Sequence, residues 1–313
     1  MPSQANQPLA EGAALENYRV LRVLAAGGFS FVYLAHDESE RPVAIKEYLP
    51  STLALRLDGA PHASVGERDA ALFRAGLKCF FEEGRALAGL AHPNVVRVLN
   101  FFRANETVYL VMRYERGRTL QSHIERHRGA LPEAWLRRTF AELLNGLREV
   151  HSHKLLHLDI KPANIYVRND GSPLLIDFGA ARQGLAAEGA SRLPPTLTRG
   201  FAPPEQHVRG GALGPWSDVY AVGATLYACL AGKPPPAADE RARQDALVPA
   251  QRAFAGKVSG QLLETVDRCL QLDPLERPQS VFALQKNLRE EHAAGPRPRL
   301  PFLGQLRSVI AGR

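Results

Sequence analysis

Four polar side chains that could do chemistry fall within eight positions of the segment HLDIKPANIYV, residues 157–167. Asp159 could orient a hydroxyl group and accept its proton, which is work for a general base. Lys161 could lie beside a moving phosphoryl group, and Asn164 could bind a metal ion. Downstream, an apolar stretch ends at Asp177, where a carboxylate that could bind the metal would emerge. The types and spacing of these residues predict metal-assisted phosphoryl transfer.

A second candidate feature is the glycine pair Gly27 and Gly28 in LAAGGFSFV, residues 24–32. Glycines between two strands let a hairpin tip lie against a phosphate chain, because bare backbone N–H groups can approach the oxygens. Two adjacent glycines are also an ordinary hairpin turn. Alone, this pattern does not decide between the two interpretations.

The sequence VAIK adds a lysine at a useful spacing. Alternate residues of a strand share a face, so Ala44 could cover a base while Lys46 reaches its phosphates. A lysine aimed into a cleft needs a counter-charge, which Glu83 on the following helix could supply. The alternative is an ordinary surface Lys–Glu pair, which contributes little to stability.

The elements that must position these residues change in character along the chain. Residues 18–46 contain short β-like runs, residues 79–91 return to helical spacing, and two more strands follow. After Gly117 the pattern is mostly helical, and residues 218–230 are apolar nearly all round, as in a buried helix. The sequence predicts a small, mostly antiparallel sheet with one long helix, then a helical half.

Three segments lack a clear pattern. Residues 1–15 are polar and Ala-rich and predict a flexible tail. Residues 50–78 contain prolines and glycines and predict an insertion, either a functional loop or a bland surface addition. Residues 293–313 form a basic, apolar tail. A short amphipathic helix there could touch an anionic membrane, but packing back on the protein or disorder is favoured.

Composition limits the class of protein. The chain has 313 residues, of which 45% are hydrophobic and 23% charged, so a globular fold is expected. The net charge is +7, but the basic residues are scattered, which argues against nucleic acid as a partner. Three widely separated cysteines favour a reducing compartment. With no secretory signal and no apolar run of transmembrane length, a cytoplasmic location is expected.

Taken together, the motifs resemble those of the protein kinase family, specifically the eukaryotic-type (Hanks-type) Ser/Thr kinases of bacteria. Any one residue could be an ordinary polar loop side chain, but this series in this order is not credible as chance. The resemblance covers roughly residues 18–291. Its motifs, in chain order, are LAAGGFSFV, VAIK, Glu83, HPNVV, HLDIKPAN, DFG, GFAPPE, SDVYAVG and DPLERP.

The resemblance implies an α+β, two-lobed protein kinase fold with an ATP cleft between the lobes. The small β-rich lobe would comprise residues 16–112, with one main helix and the 50–78 insertion. A hinge over residues 113–118 would lead to a larger, mostly helical lobe over residues 119–292. The implied reaction is transfer of the γ-phosphoryl group of ATP to Ser or Thr hydroxyls of a protein substrate.

The same resemblance assigns roles to residues. Asp159 would be the catalytic Asp, with Lys161 near the γ-phosphate. Lys46 would hold the α- and β-phosphates and pair with Glu83. Mg²⁺, for which Mn²⁺ could substitute, would be held by Asn164 and Asp177. The implied nucleotide-binding residues are Gly27, Gly28, Val32, Ala44, Lys46, Met112, Tyr114 and Ile176.

Structural roles are implied as well. Glu205 would pair with Arg277 to brace the large lobe, and Asp218 would anchor the catalytic loop. A hydrophobic spine would contain Leu87, Val98, His157 and Phe178.

Three positions depart from the pattern of the family. Ala25 and Ser30 replace two glycines of the Gly-rich loop, but both residues are small, so ATP binding should survive. Leu158 stands where many members have an arginine that binds a phosphate on the activation loop. Because that arginine does no chemistry itself, we expect an active enzyme that does not need phosphorylation at that site.

Two alternatives remain open. A pseudokinase acting as a nucleotide-responsive scaffold would explain Leu158 and the altered Gly-rich loop. A small-molecule phosphotransferase would use the same fold on another acceptor, but the GFAPPEQ segment disfavours it, because the family uses that region as a platform for a polypeptide.

Overall fold

Eight strands, most of them rich in valine, tyrosine and phenylalanine, are the main elements of the first 113 residues, as their β-propensity indicates. In the computed structural model, which describes residues 6–127, 130–178 and 197–289, these strands are β1 (Ala14–Leu15), β2 (Tyr18–Ala26), β3 (Ser30–His36), β4 (Pro42–Tyr48), β5 (Ala54–Leu55), β6 (Ser64–Val65), β7 (Val98–Ala104) and β8 (Thr107–Arg113). Six of them form one antiparallel sheet in the order β1-β2-β3-β4-β8-β7. Strands β5 and β6 form a separate hairpin.

Helix α1 (Ala70–Ala88) packs on this sheet and is longer than the sequence pattern indicates. It begins at Ala70 rather than at residue 79, so the last part of the predicted 50–78 insertion is helix. Gly76 and the small residues of its first turns weaken the apolar pattern of helical spacing, so the sequence does not show where the helix begins. The ring of Phe73 in this part packs against Tyr48, with 5.5 Å between ring centroids, and so buries the start of the helix.

The sequence predicts a flexible tail over residues 1–15, but residues 6–15, the part of it that the structure describes, are held against the sheet. The Gly12 N–H donates to the carbonyl of Val20 at 2.8 Å, and β1 pairs with the start of β2. Leu9 and Leu15 are buried. Burial of these two leucines and the paired backbone hold the segment against the sheet.

The second half of the chain is mostly helical, as predicted. Its helices are α2 (Leu120–His127), α3 (Glu133–Ser152), α4 (Pro204–His207), α5 (Pro215–Ala231), α6 (Ala238–Arg241), α7 (Ala250–Ala253), α8 (Gly260–Cys269) and α9 (Val281–Arg289). Helix α5 is buried along almost its whole length. Close packing of α5 on α8 requires Gly223, because a Cβ atom there would lie 2.3 Å from that of Cys269.

A small sheet adjoins the catalytic segment. Strands β9 (Gly117–Thr119), β10 (Ile165–Arg168) and β11 (Pro173–Leu175) form it in the order β11-β10-β9. Gly117 is required where β9 meets β10, since a Cβ atom would lie 2.1 Å from the carbonyl oxygen of Val167. Among the described residues, no helix combines the length and apolar character that crossing a bilayer requires.

Candidate active site

The polar residues of segment 157–167 converge on one carboxylate. Lys161 Nζ and Asn164 Nδ2 donate to Oδ2 of Asp159 at 2.9 and 2.8 Å. The hydroxyl of Thr198 donates to Oδ1 at 2.8 Å and accepts from Lys161 Nζ at 2.8 Å. Hydrogen bonds to both of its oxygens therefore hold the Asp159 carboxylate in one orientation. A single turn of 3₁₀ helix, Pro162–Asn164, brings the amide of Asn164 back to Asp159.

The loop that carries Asp159 has an unusual backbone, and Asp218 holds it in place. Leu158 has φ +56°, in the left-handed region that side chains with a Cβ rarely adopt. The N–H groups of His157 and Leu158 donate to the two carboxylate oxygens of Asp218 at 2.9 and 2.7 Å. On the other side, Gln206 Nε2 donates to the Leu158 carbonyl at 3.0 Å.

Asp218 is fully buried and remains a carboxylate. Burial alone would raise its pKa, but the hydrogen bond from His151 Nε2, at 2.7 Å, and the charge of that ring lower the pKa overall. An ionised acceptor makes stronger hydrogen bonds than a neutral one. Asp218 can therefore stabilise the strained turn before Asp159.

His157 links the catalytic loop to the strand end that carries Asp177. Burial lowers the pKa of the imidazole, so the ring is neutral. Nε2 donates to the Ile176 carbonyl at 3.2 Å, and Nδ1 accepts from the Asp159 N–H at 3.3 Å. The ring packs against Phe178 with 4.4 Å between centroids. The other residues of the predicted spine, Leu87 and Val98, are also buried.

Asp177 extends from the site towards the sheet. Its backbone has φ +57°, which turns the chain sharply after Ile176. Its Oδ1 lies 3.0 Å from Lys46 Nζ, and 36% of its side-chain surface is exposed. Burial opposes ionisation, but the charge and hydrogen bond of Lys46 hold the pKa of this carboxyl below its ordinary value. Asp177 is therefore an anion at neutral pH.

The register of the sheet places the predicted nucleotide-binding residues on one face. Val32 lies opposite Lys46 on β4, and Ala44 lies opposite Met112 on β8. Residues directly opposite each other share a face, as do residues two apart on a strand. Val32, Ala44, Lys46 and Met112 therefore line the side of the sheet from which Lys46 reaches Asp177.

Gly27 and Gly28 lie between β2 and β3, at the tip of the hairpin. A Cβ atom at Gly27 would have its nearest neighbour at 3.8 Å, and one at Gly28 would meet nothing within 4 Å. Packing within the protein therefore does not demand glycine at either position. A ligand that approaches the backbone closely would demand it.

The donor set of Asn164 and Asp177 fits Mg²⁺. The Asn164 amide nitrogen faces Asp159, which leaves Oδ1 as the acceptor of that group, and Asp177 supplies an anionic oxygen. Within the described part of the chain, His, Cys, Asp and Glu form no cluster of three that could hold a metal ion. A hard ion held by few protein oxygens together with phosphate oxygens is typical of Mg²⁺.

A buried ion pair braces the large lobe below the site. Arg277 Nη1 and Nη2 donate to the two oxygens of Glu205 at 2.8 and 3.1 Å. Arg277 also donates to the carbonyls of Gln271, Leu272 and Trp216. Both partners of the pair are buried, and the predicted pairing is therefore present.

Several predicted contacts stay predictions. Glu83 is buried on α1, and its pairing with Lys46 stays a prediction. Tyr114 directly follows β8 in the predicted hinge, and its contact with the base stays a prediction. Ser191 and Thr196, which are candidate phosphorylation sites in the activation segment (residues 177–205), lie outside the described residues.

Residues 18–288 match the protein kinase domain family. The chain belongs to the protein kinase family. Its kinase domain is 30% identical over 271 residues to the serine/threonine-protein kinase PknA of Nostoc sp., covering 83% of this chain and 44% of PknA. It is 32% identical over 231 residues to the serine/threonine-protein kinase B of Synechocystis sp., covering 70% of this chain and 37% of that protein. The chain thus spans less than half the length of these curated relatives.

A solved structure is similar to this kinase domain over nearly its whole extent. The structure described as the PpkA-294 apo form is 36% identical, with a TM-score of 0.80, and the match covers 90% of this chain and 99% of that chain. The predicted two-lobed α+β kinase fold is confirmed, as is membership of the bacterial Ser/Thr kinase group.

Sequence reasoning missed two residues that hold the catalytic loop of the kinase domain. His151 comes from the last turn of α3, and Gln206 directly follows Glu205. The spacing of these residues does not indicate the role, because Gln206 lies 48 positions from Leu158 and His151 acts on the loop through Asp218, 67 positions away. The position of Gln206 beside the GFAPPE motif was the one available hint.

Proposed function

We propose that this kinase domain transfers the γ-phosphoryl group of ATP, with Mg²⁺, to Ser or Thr hydroxyls of a protein substrate. One observation carries the proposal. Asp159, whose carboxylate is oriented by Lys161, Asn164 and Thr198, lies in the same site as the Lys46–Asp177 pair. A scaffold that only bound nucleotide would have no chemical need to orient the Asp159 carboxylate in this way.

Each residue would have a distinct task. Asp159 would orient the acceptor hydroxyl and accept its proton. Lys161 would place a positive charge beside the phosphoryl group as its negative charge redistributes, and Lys46 would hold the phosphate oxygens. Asn164 and Asp177 would hold the Mg²⁺, which, when bound, neutralises charge on the phosphates.

An assay with labelled ATP and Mg²⁺ tests this proposal under three conditions. Transfer by wild type is compared with transfer by Asp177→Ala in the presence of a casein-like protein, of small hydroxyl compounds, or of no added acceptor. We expect transfer to protein by the wild type and a loss of roughly 10³-fold in the variant, which lacks the metal-binding carboxylate. Transfer only to small compounds indicates a small-molecule phosphotransferase, and no Asp177-dependent transfer indicates a scaffold.

Activity without phosphorylation of the activation segment is the second part of the proposal. Leu158 is buried and cannot bind a phosphate. Its backbone is instead held by Asp218 and Gln206, and Thr198 bonds directly to Asp159. These contacts would order the catalytic loop, which is the task of the arginine–phosphate contact in many members of the family.

We therefore expect phosphatase-treated enzyme, and the double variant Ser191→Ala/Thr196→Ala, to keep activity within about threefold of untreated wild type. The measurement is the initial rate of labelled phosphate transfer, with phosphate occupancy checked by mass spectrometry. Thr198 is left unchanged because it contacts Asp159. A near-complete loss of activity in both samples would show that phosphorylation is required.

The partners follow from the same chemistry. The proposed partners are ATP and a protein bearing Ser or Thr, with no nucleic acid. A cytoplasmic location is proposed because the three cysteines are odd in number and widely separated in the sequence, which argues against a disulfide framework and favours a reducing compartment. The tail 293–313 lies outside the described residues, and its contact with a membrane remains the disfavoured interpretation.

A further inference from the structure

The face of the sheet opposite the nucleotide site carries a buried charge. Glu47 follows Lys46 on β4, so its side chain lies on the other face. Its carboxylate is fully buried and accepts four hydrogen bonds, two from Arg56 at 2.6 and 2.7 Å and one each at 2.7 Å from the hydroxyls of Tyr33 and Tyr109. Tyr33 lies on β3 and Tyr109 on β8. Glu47 therefore cross-links three neighbouring strands through side chains.

The N-terminal segment completes this cluster. Arg56 Nε donates to the Gln7 carbonyl at 2.9 Å, and the Arg56 N–H donates to Asn6 Oδ1 at 2.7 Å. The Leu9 N–H donates to the Tyr33 hydroxyl at 3.1 Å. A buried ion pair is tolerated only when its remaining donors and acceptors are satisfied. Residues 6–9 supply those partners, which explains why the segment is held against the sheet.

The partners of Glu47 keep their protons at neutral pH. Burial, followed by the charge of Glu47, raises the pKa of the Tyr33 and Tyr109 hydroxyls well above the ordinary value, so both remain donors. Burial opposes the charge on Arg56, but its hydrogen bonds to Glu47 raise the pKa overall. Tyr33, Tyr109 and Arg56 thus all remain hydrogen-bond donors towards Glu47.

Strand β4 is consequently anchored on both of its faces directly after Lys46. Glu47 is held by the cluster, and Tyr48 packs on the rings of Phe73 and Phe80 of α1, with centroids 5.5 and 5.6 Å away. The amino group of Lys46 itself lies 5.5 Å from the centroid of Phe80. A shift of Glu47 would therefore move Lys46 directly, because the two are adjacent on one strand.

The segment between β4 and Arg56 also contacts the glycine hairpin. The Ser51 N–H donates to the Gly28 carbonyl at 2.8 Å, and the Leu49 N–H donates to the Phe29 carbonyl at 3.0 Å. The hairpin expected to cover the phosphates is thus bonded to the same stretch of chain that carries Arg56.

We propose that the Glu47–Arg56 pair, completed by residues 6–9, is a positioning unit that sets where Lys46 stands in the nucleotide site. The proposal rests on the proposed function, which gives Lys46 its role at the phosphates of ATP. The unit acts through β4 and touches no substrate, so its residues are positioning residues.

Arg56→Lys tests the unit with the least disturbance, because lysine keeps the charge but cannot form the two-pronged contact with Glu47. Two quantities are measured on the full chain. One is the Kd for ATP in the presence of Mg²⁺. The other is the rate at which an acylating reagent modifies Lys46 when no nucleotide is present, and mass spectrometry measures that rate. We expect the Kd to rise roughly tenfold and acylation to become several-fold faster, because Lys46 leaves Asp177.

Two further proteins and a control complete the design. A chain lacking residues 1–9 is expected to behave like Arg56→Lys. The double variant Glu47→Gln/Arg56→Met leaves no unpaired buried charge, so it should fold even if a single variant does not, and its ATP affinity should still be weakened. Arg19→Met is the matched control. It removes an exposed Arg–Glu pair of the same sheet, between Arg19 and Glu40, and should change neither quantity.

The outcomes separate this proposal from the proposed function. Folded variants, checked by circular dichroism, that bind ATP and react at Lys46 as wild type does would overturn the positioning unit. A lower Tm without either change would show a purely structural role and would overturn it as well. If wild type itself binds no ATP, the proposed function fails, and the acylation rates still decide whether the pair positions Lys46.

Discussion

Replacing Asp159 with asparagine is expected to lower kcat by about 10³-fold while changing the Kd for ATP by less than about threefold. Asparagine has nearly the same shape, so the loop should survive. It cannot accept the proton of the acceptor hydroxyl, and its amide nitrogen would face one of the donors that now point at Asp159, namely Lys161, Asn164 or Thr198. Steady-state rates and calorimetric ATP titration provide the two measurements.

The matched control is Asp170→Asn. Asp170 is an exposed aspartate of the turn between β10 and β11, where it accepts hydrogen bonds from Ser172. Its replacement should leave kcat unchanged. A loss below tenfold for Asp159→Asn would show that this carboxylate is not the base, and an equal loss in the control would point to general damage of the segment.

Replacing Arg277 with methionine is expected to give the largest loss of stability, roughly 3–5 kcal/mol in the free energy of unfolding. The change leaves the buried carboxylate of Glu205 without its partner and frees three backbone carbonyls that Arg277 now satisfies. A loss of stability of that size should lower Tm by about 10 °C, which calorimetry measures.

Two comparisons test whether the unpaired buried charge of Glu205 causes that loss of stability. Arg199→Met removes an arginine from an exposed pair with Glu240 in the same lobe and should give no measurable change in Tm, because exposed pairs contribute little. The double variant Glu205→Met/Arg277→Met should recover part of the stability, since no buried charge is then left unpaired. If Arg277→Met has the same Tm as the wild type, the Glu205–Arg277 pair does not brace the lobe.

Local spacing made much of the candidate site predictable. Asp159, Lys161 and Asn164 lie within six positions, so a tight loop brings them together whatever surrounds it. Lys46 and Ala44 could be placed on one face because strands alternate strictly. The register of the sheet then puts Val32 and Met112 on that face.

Long-range polar contacts were not predictable from the same sequence. Glu47 is a charged residue near the end of a strand and Arg56 is a charged residue of the irregular 50–78 region. Nothing in their spacing shows that both are buried or that the Glu47 carboxylate accepts four hydrogen bonds. The segment 6–15 has too few apolar residues to show a period. Its order comes from partners in the sheet and in the 50–78 region, which only the folded chain brings near.

Phosphoamino-acid analysis of phosphatase-treated wild type, after incubation with γ-labelled ATP, Mg²⁺ and a protein acceptor, tests the central claim most directly. The structure predicts labelled phosphoserine or phosphothreonine with wild type and about 10³-fold less with Asp159→Asn. ATP that binds but leaves no label on any serine or threonine, with enzyme shown to be folded, would contradict the assignment of this domain as an active Ser/Thr protein kinase.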